Sequence, residues 1–205
     1  MSSQRVLDVS ALPVSIADSR ALIWWGNLGM MVIEGSMFAM TLATFLYFRV
    51  SNLDWPPATV PRPDLTWPTV NFILLILSAI PAFLADRAAQ HNSMTGIRIG
   101  LGLCIVVGFV FLAIRTYNMI NIGFKWSDHA YGSIVWTVVG LHTFHTISAT
   151  GENSLLFGYL LTHPATKKRL LDVRCGVVYW YFLVISWIPF YFLIYIQPWW
   201  RRKGM

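Results

Sequence analysis

Two imidazoles and two carboxyls stand in stretches of this chain that are otherwise apolar. His142 and His145 lie in Gly140-Leu141-His142-Thr143-Phe144-His145, Glu34 in Ile33-Glu34-Gly35-Ser36-Met37-Phe38, and Glu152 seven residues beyond His145. Gathered together, such groups ligate iron or manganese, pass protons, or hydrogen-bond between packed helices. Placing an ionisable group in hydrocarbon costs about 2.5–3.5 kcal/mol on insertion scales. Each must therefore meet a partner, water or a change of protonation.

Helical register narrows the choices. Asn27, Glu34 and Thr41 recur at seven-residue spacing, so they share one side of a helix that must face protein or a water-lined pocket. Glu34 then reads as a protonatable carboxylate on a proton path, or as a neutral, hydrogen-bonded acid that orients its helix. His145 and Glu152 share the same seven-residue spacing, with His142 one turn earlier. At 1.5 Å per residue, Glu34 lies about 18 Å and Glu152 about 14 Å from one membrane face. A site shared by Glu34, Glu152, His145 and His142 is thus conceivable.

As a metal site this set would suit iron or manganese in a helix bundle, but neither helix carries the Glu-x-x-His signature of di-metal bundles. Nothing singles out a haem ligand either. Interhelical hydrogen bonding is the plainer expectation for the two imidazoles. Ser127-Asp128-His129 reads as a helix N-cap with an exposed ring. Cys104 and Cys175 read as free, small core residues, and no nucleophile motif, phosphate loop or thiol pair occurs.

The elements that position these groups follow from composition. Hydrophobic residues make up 56% and charged residues 12% of the 205, with a net charge of +6 from 15 basic and 9 acidic side chains. A soluble domain carries about 25% charge, so the chain reads as an integral membrane protein. Its basic excess reads as loop charge near lipid headgroups, with no nucleic-acid partner. Crossing ~30 Å of hydrocarbon takes about 20 apolar residues in a helix. Five runs qualify, at 22–48, 68–85, 97–115, 131–161 and 177–196. The expected fold is all-α: a polar segment 1–20, a five-helix transmembrane domain 21–200 and a basic tail 201–205. The alternating ten-residue segments of a membrane barrel do not occur.

Pro81 interrupts the second run. Trp24, Trp25, Trp55, Trp67, Trp126, Trp199 and Trp200 flank the runs in the manner of an interfacial belt. The stretch Trp55–Pro63, with four prolines, should be stiff and extended. Gly96, Gly100, Cys104 and Gly108 form a small-residue stripe suited to close helix packing. Eight basic residues fall on the N-terminal face and seven, counting Arg115 and the tail, on the other, which favours an inside N-terminus only when the tail is discounted.

Ordered motifs add a resemblance. Trp24-Trp25-Gly26, Glu34 ahead of Met37-Phe38-Ala39, Trp55-Pro56-Pro57 followed by Val70-Asn71, Ser127-Asp128 with Tyr131-Gly132-Ser133, the His142/His145 run, and Tyr179-Trp180-Tyr181-Phe182 with Trp187 occur in sequence over roughly 24–197. The set resembles subunit III of the haem-copper cytochrome c oxidases in its short five-helix bacterial form. That resemblance implies an accessory subunit that carries no haem or copper, binds phospholipid between helices and sustains proton uptake through Glu34. The haem and copper would belong to partner subunits I and II. It also implies a multi-pass protein of the bacterial cytoplasmic membrane, N-terminus cytoplasmic and C-terminus periplasmic. Asn27, Asn71, His142, His145 and Glu152 are its candidate buried polar groups.

The chain departs from the family pattern in several places. Tyr181 and Val184 replace a histidine and an aspartate of the last helix, Arg115-Thr116-Tyr117-Asn118 lacks a usual glutamate, and Glu152-Asn153 stands where the family is apolar. Other expectations therefore remain: a metal-binding membrane protein or enzyme using Glu34, His142, His145 and Glu152, or a partner of a quinol oxidase or nitric oxide reductase. A transporter is disfavoured by the lack of inverted repeats and paired broken helices.

Overall fold

The structure, a computed structural model, describes residues 21–52, 54–61, 63–164 and 166–201. The polar segment 1–20 and the tail beyond residue 201 lie outside them. With no water in the hydrocarbon, each spanning segment must satisfy its own backbone, and every described spanning segment is helical. In chain order these are α1 (Leu22–Ser51), α2 (Thr66–Leu77), α3 (Ala79–Gln90), α4 (Met94–Ile120), α5 (Ala130–Thr162), α6 (Lys167–Tyr191), a π-helical turn (Phe192–Ile196) and α7 (Gln197–Arg201). Helices α2 and α3 form one span broken at Ser78, and α6 runs through the π-turn into α7, giving the five expected spans. Four of them are long and apolar enough to cross a membrane. The fifth, α5, is long enough at 33 residues but is diluted by its polar residues.

The break in the second span has a local cause. Pro81 has no N–H to give the carbonyl four residues earlier, and its ring crowds that turn. The loosened turn is then used: Ser78 Oγ donates to the Leu75 carbonyl and accepts from Trp180 Nε1 at 2.8 Å. Helices α3, α4, α5 and α6 form the packed body, and α1 lies outside it against α5 and α6. The glycine stripe of α4 sets the close approach. A Cβ on Gly100 would come within 2.8 Å of Ala85, and one on Gly108 within 2.7 Å of Thr150 Oγ1.

Polar crosslinks converge on α6. Arg174 meets Asp86 of α3 at 3.1 Å, Thr69 of α2 meets the Tyr191 hydroxyl at 2.7 Å, and Asn27 Nδ2 of α1 donates to the Cys175 carbonyl at 3.2 Å.

Four expectations change at the bundle end that bears the 52–65 loop. The proline-rich loop folds back instead of extending: Val60 N–H donates to the Pro57 carbonyl at 2.9 Å, and Trp55 and Val60 are buried. Trp55 is consequently no belt residue, because its ring packs edge-on to Tyr131 and Phe45. Helix α4 continues to Ile120, so Arg115 is not a loop charge but lies inside the bundle, 3% exposed. At the start of α5 the N-cap is His129 itself, half-buried, with Nδ1 accepting from Gly132 N–H at 2.7 Å.

Candidate functional site

Glu34 meets His145 where α1 crosses α5. Its Oε1 lies 3.6 Å from His145 Nε2, with the carboxylate side chain 16% and the imidazole 10% exposed. The other ring nitrogen, Nδ1, lies 2.7 Å from the Leu141 carbonyl. A carbonyl only accepts, so Nδ1 carries a proton and Nε2 is the atom that gains or loses one toward Glu34. The pair can therefore share one proton at a defined place: carboxylic acid against imidazole, or carboxylate against imidazolium. Tyr179 of α6 lies alongside the same carboxyl, while Glu34 Oε2 has no hydrogen-bond partner. Phe38, one turn after Glu34, packs its ring 5.3 Å from His145 and 6.2 Å from His142, shielding the pair on one side.

His142 has a different task. It is fully buried, and its Nε2 donates to the Leu183 carbonyl of α6 at 3.0 Å, tying α5 to α6. Its ring centroid lies 4.6 Å from that of Trp187.

Glu152 does not join this site. It is exposed, not buried, and lines a cleft of about 530 Å³ between α1, α5 and α6, with Asn27, Tyr159, Arg169, Asp172 and Cys175. Arg169 there pairs with Asp172 at 2.9 Å and covers the Tyr159 ring at 4.4 Å. Asn27 is half-buried at the cleft wall, and Thr41 donates only to the Met37 carbonyl of its own helix. The four groups once conceivable as one site are thus divided, and no cluster of three or more His, Cys, Asp or Glu able to hold a metal occurs among the described residues. Both cysteines are buried and free.

A sequence profile described as "Cytochrome c oxidase subunit III" matches residues 21–201. The chain belongs to the cytochrome c oxidase subunit III family. Among its relatives, cytochrome c oxidase subunit 3 of Synechocystis sp. is 25% identical over 81% of this chain and 72% of that protein. The same subunit of Thermostichus vulcanus is 25% identical over 83% and 85%, and that of Anopheles gambiae 24% identical over 86% and 68%.

One group was missed in sequence. Arg115 of α4 is buried against the end of α6. Its guanidinium carbon lies 3.8 Å from the Trp187 ring centroid and 4.9 Å from that of Phe111. Nε has no hydrogen-bond partner, and no carboxylate pairs with it among the described residues. Ring contacts of this kind stabilise a desolvated cation by about 2 kcal/mol, less than the several kcal/mol that burying an ion costs. Asn71, 2% exposed, lies on the same crevice with its own Oδ1 unpartnered. The sequence signal was present: an arginine at the end of an apolar run that the helix can outlast.

Proposed function

We propose that this chain is an accessory subunit of a haem-copper terminal oxidase, carrying no haem or copper itself and packing beside subunits I and II, which would carry them. The observation that carries the reading is the Glu34–His145 pair at 3.6 Å, an exchangeable proton held at mid-span in a chain of this family. In this role the pair buffers and relays protons toward the oxygen-reducing partner. The cleft between α1, α5 and α6 is walled by Ile23, Met30, Leu155 and Leu156, with Asn27, Glu152, Tyr159 and the Arg169–Asp172 ion pair as its polar groups; it suits an acyl chain with its headgroup at the Arg169 end, so phospholipid is its expected occupant. The setting is the bacterial cytoplasmic membrane, with the N-terminus on the cytoplasmic side.

The test is Glu34→Gln in the assembled complex. The chain should still copurify with a haem-containing subunit, while turnover slows or active lifetime shortens, most at high pH where protons are scarce. Loss of assembly with unaltered turnover in whatever complex remains would assign Glu34 to packing. A chain that associates with no haem protein would overturn the accessory reading. Whether the copurified complex oxidises cytochrome c or quinol, or reduces nitric oxide, identifies which member of the superfamily it serves.

A further inference from the structure

A pocket of about 330 Å³ opens at the loop-bearing end of the bundle, apart from Glu34 and His145. We propose that it binds a neutral sugar ring, the headgroup of a glycolipid whose acyl chains follow the outer faces of α2 and α4. The inference stands independently of the accessory role proposed above.

Four segments build the pocket. The folded-back loop supplies Asp64, the start of α2 Trp67, the end of α4 Tyr117, Asn118 and Asn121, and the π-turn Tyr195. Ligand pockets run from about 300 to 1,000 Å³, so this one has room for a small headgroup and not for a peptide segment. The fold does not consume its polar groups. Asp64 gives only Oδ1 to the Thr66 N–H, at 3.0 Å, and Asn121 uses its Nδ2 on the Tyr117 carbonyl at 2.8 Å, keeping Oδ1. The Asn118 amide and the Tyr195 hydroxyl make no hydrogen bond among the described residues, although Tyr195 is only 6% exposed.

Charge and polarity select the ligand. Arg115, a permanent cation, lies behind the inner wall: Pro68, Asn118 and Tyr195 line both the pocket and the narrow crevice against its side chain. It repels an organic ammonium from that wall, and Asp64 repels an anion from the mouth, where it is exposed. A wholly apolar molecule would leave a carboxylate, two amides and a phenol without partners. A neutral polyhydroxyl ring meets them all, because each of its hydroxyls both donates and accepts. Trp67 and Tyr117, 45% and 51% exposed with their rings edge-to-face at 5.5 Å, add aromatic surface at the depth of the interfacial belt. The negative face of such a ring attracts the electropositive C–H face of a pyranose. Both helices carry exposed apolar stripes leading away from the pocket, Val70, Ile73 and Leu77 on α2 and Val106 and Val110 on α4, which suit the chains of a lipid.

The experiment is native mass spectrometry of the complex, purified without sugar detergents and released from phosphatidylcholine nanodiscs that contain a minor fraction of monoglucosyl diacylglycerol. The complex should retain glucosyl lipid in preference to phosphatidylcholine, and Trp67→Ala and Asn118→Leu should each cut that retention several-fold. The mass of this chain in the same spectrum shows that each variant is still folded into the complex; if one is not, the other decides. Methyl β-glucoside at tens of millimolar should displace the lipid only in part. Complete displacement would overturn the lipid source and leave the sugar ring alone as the ligand. Equal retention of the two lipids, or retention undiminished in both variants, would overturn the proposal.

Discussion

Glu34 and Arg115 are both ionisable side chains inside the bundle, and the surrounding helices treat them oppositely. Glu34 sits on the outlying α1, facing α5, whose polar residues supply a basic partner at 3.6 Å. Arg115 sits on α4, facing the aromatic end of α6, which supplies rings at 3.8 Å and beyond but no carboxylate among the described residues. A protein that pairs a buried charge internally keeps the proton as the movable species. One that buries a permanent cation against aromatic faces holds a charge that does not move. Of the two sites, only that of Glu34 has a proton to exchange.

The largest expected effect comes from breaking the paired side. His145→Leu leaves Glu34 beside Phe38 without its basic partner, and a buried polar group deprived of its partner costs about 1–3 kcal/mol. Reversible unfolding in mixed micelles measures it. Glu34→Leu combined with His145→Leu should recover most of the loss, because apolar replacement of a whole buried pair is often neutral. A double variant as unstable as the sum of the singles would show that the two side chains do not act together.

What could be read from sequence divides along similar lines. The five spans were legible because apolar length decides insertion, and the Ser78 break because Pro81 forbids a regular turn there. The comparable depths matched Glu34 with Glu152, whereas the structure sets Glu34 against His145. The seven-residue step from His145 to Glu152 drifts only about 20° on a straight α-helix, so Glu152 keeps to the same side of α5 but lies about 10 Å further along the axis, where it is exposed on the cleft. Arg115 was lost by assigning it to a loop, and the burial of Trp55 by treating every flanking tryptophan as a headgroup anchor. Both errors arise at the loop-bearing end, where tertiary packing of α4 and the 52–65 segment overrides local pattern.

A smaller effect tests the same contrast with neutral groups. Asn27 is partnered, donating to the Cys175 carbonyl, and Asn71 is buried with Oδ1 unpartnered. Asn27→Leu should destabilise by about 1 kcal/mol through its lost hydrogen bond. Asn71→Leu should stabilise by roughly 1 kcal/mol by removing an unmet polar atom. Equal signs for the two substitutions would mean that Asn71 has a partner after all.

The smallest effect is expected at Glu152, and it draws the boundary of the proton site. Its carboxyl is exposed on the cleft wall, with Asp172 as a like-charged neighbour, and it makes no ion pair among the described residues. Substitutions of this kind usually stay within about 0.5 kcal/mol, so Glu152→Gln should leave unfolding nearly unchanged. Turnover at high pH should also be unchanged, in contrast to Glu34→Gln, because the cleft and the Glu34–His145 pair are separate features of α5. A turnover loss matching that of Glu34→Gln would extend the proton path into the cleft. Glu152 would then be its entrance from the N-terminal end, and lipid in the cleft would be expected to slow proton entry.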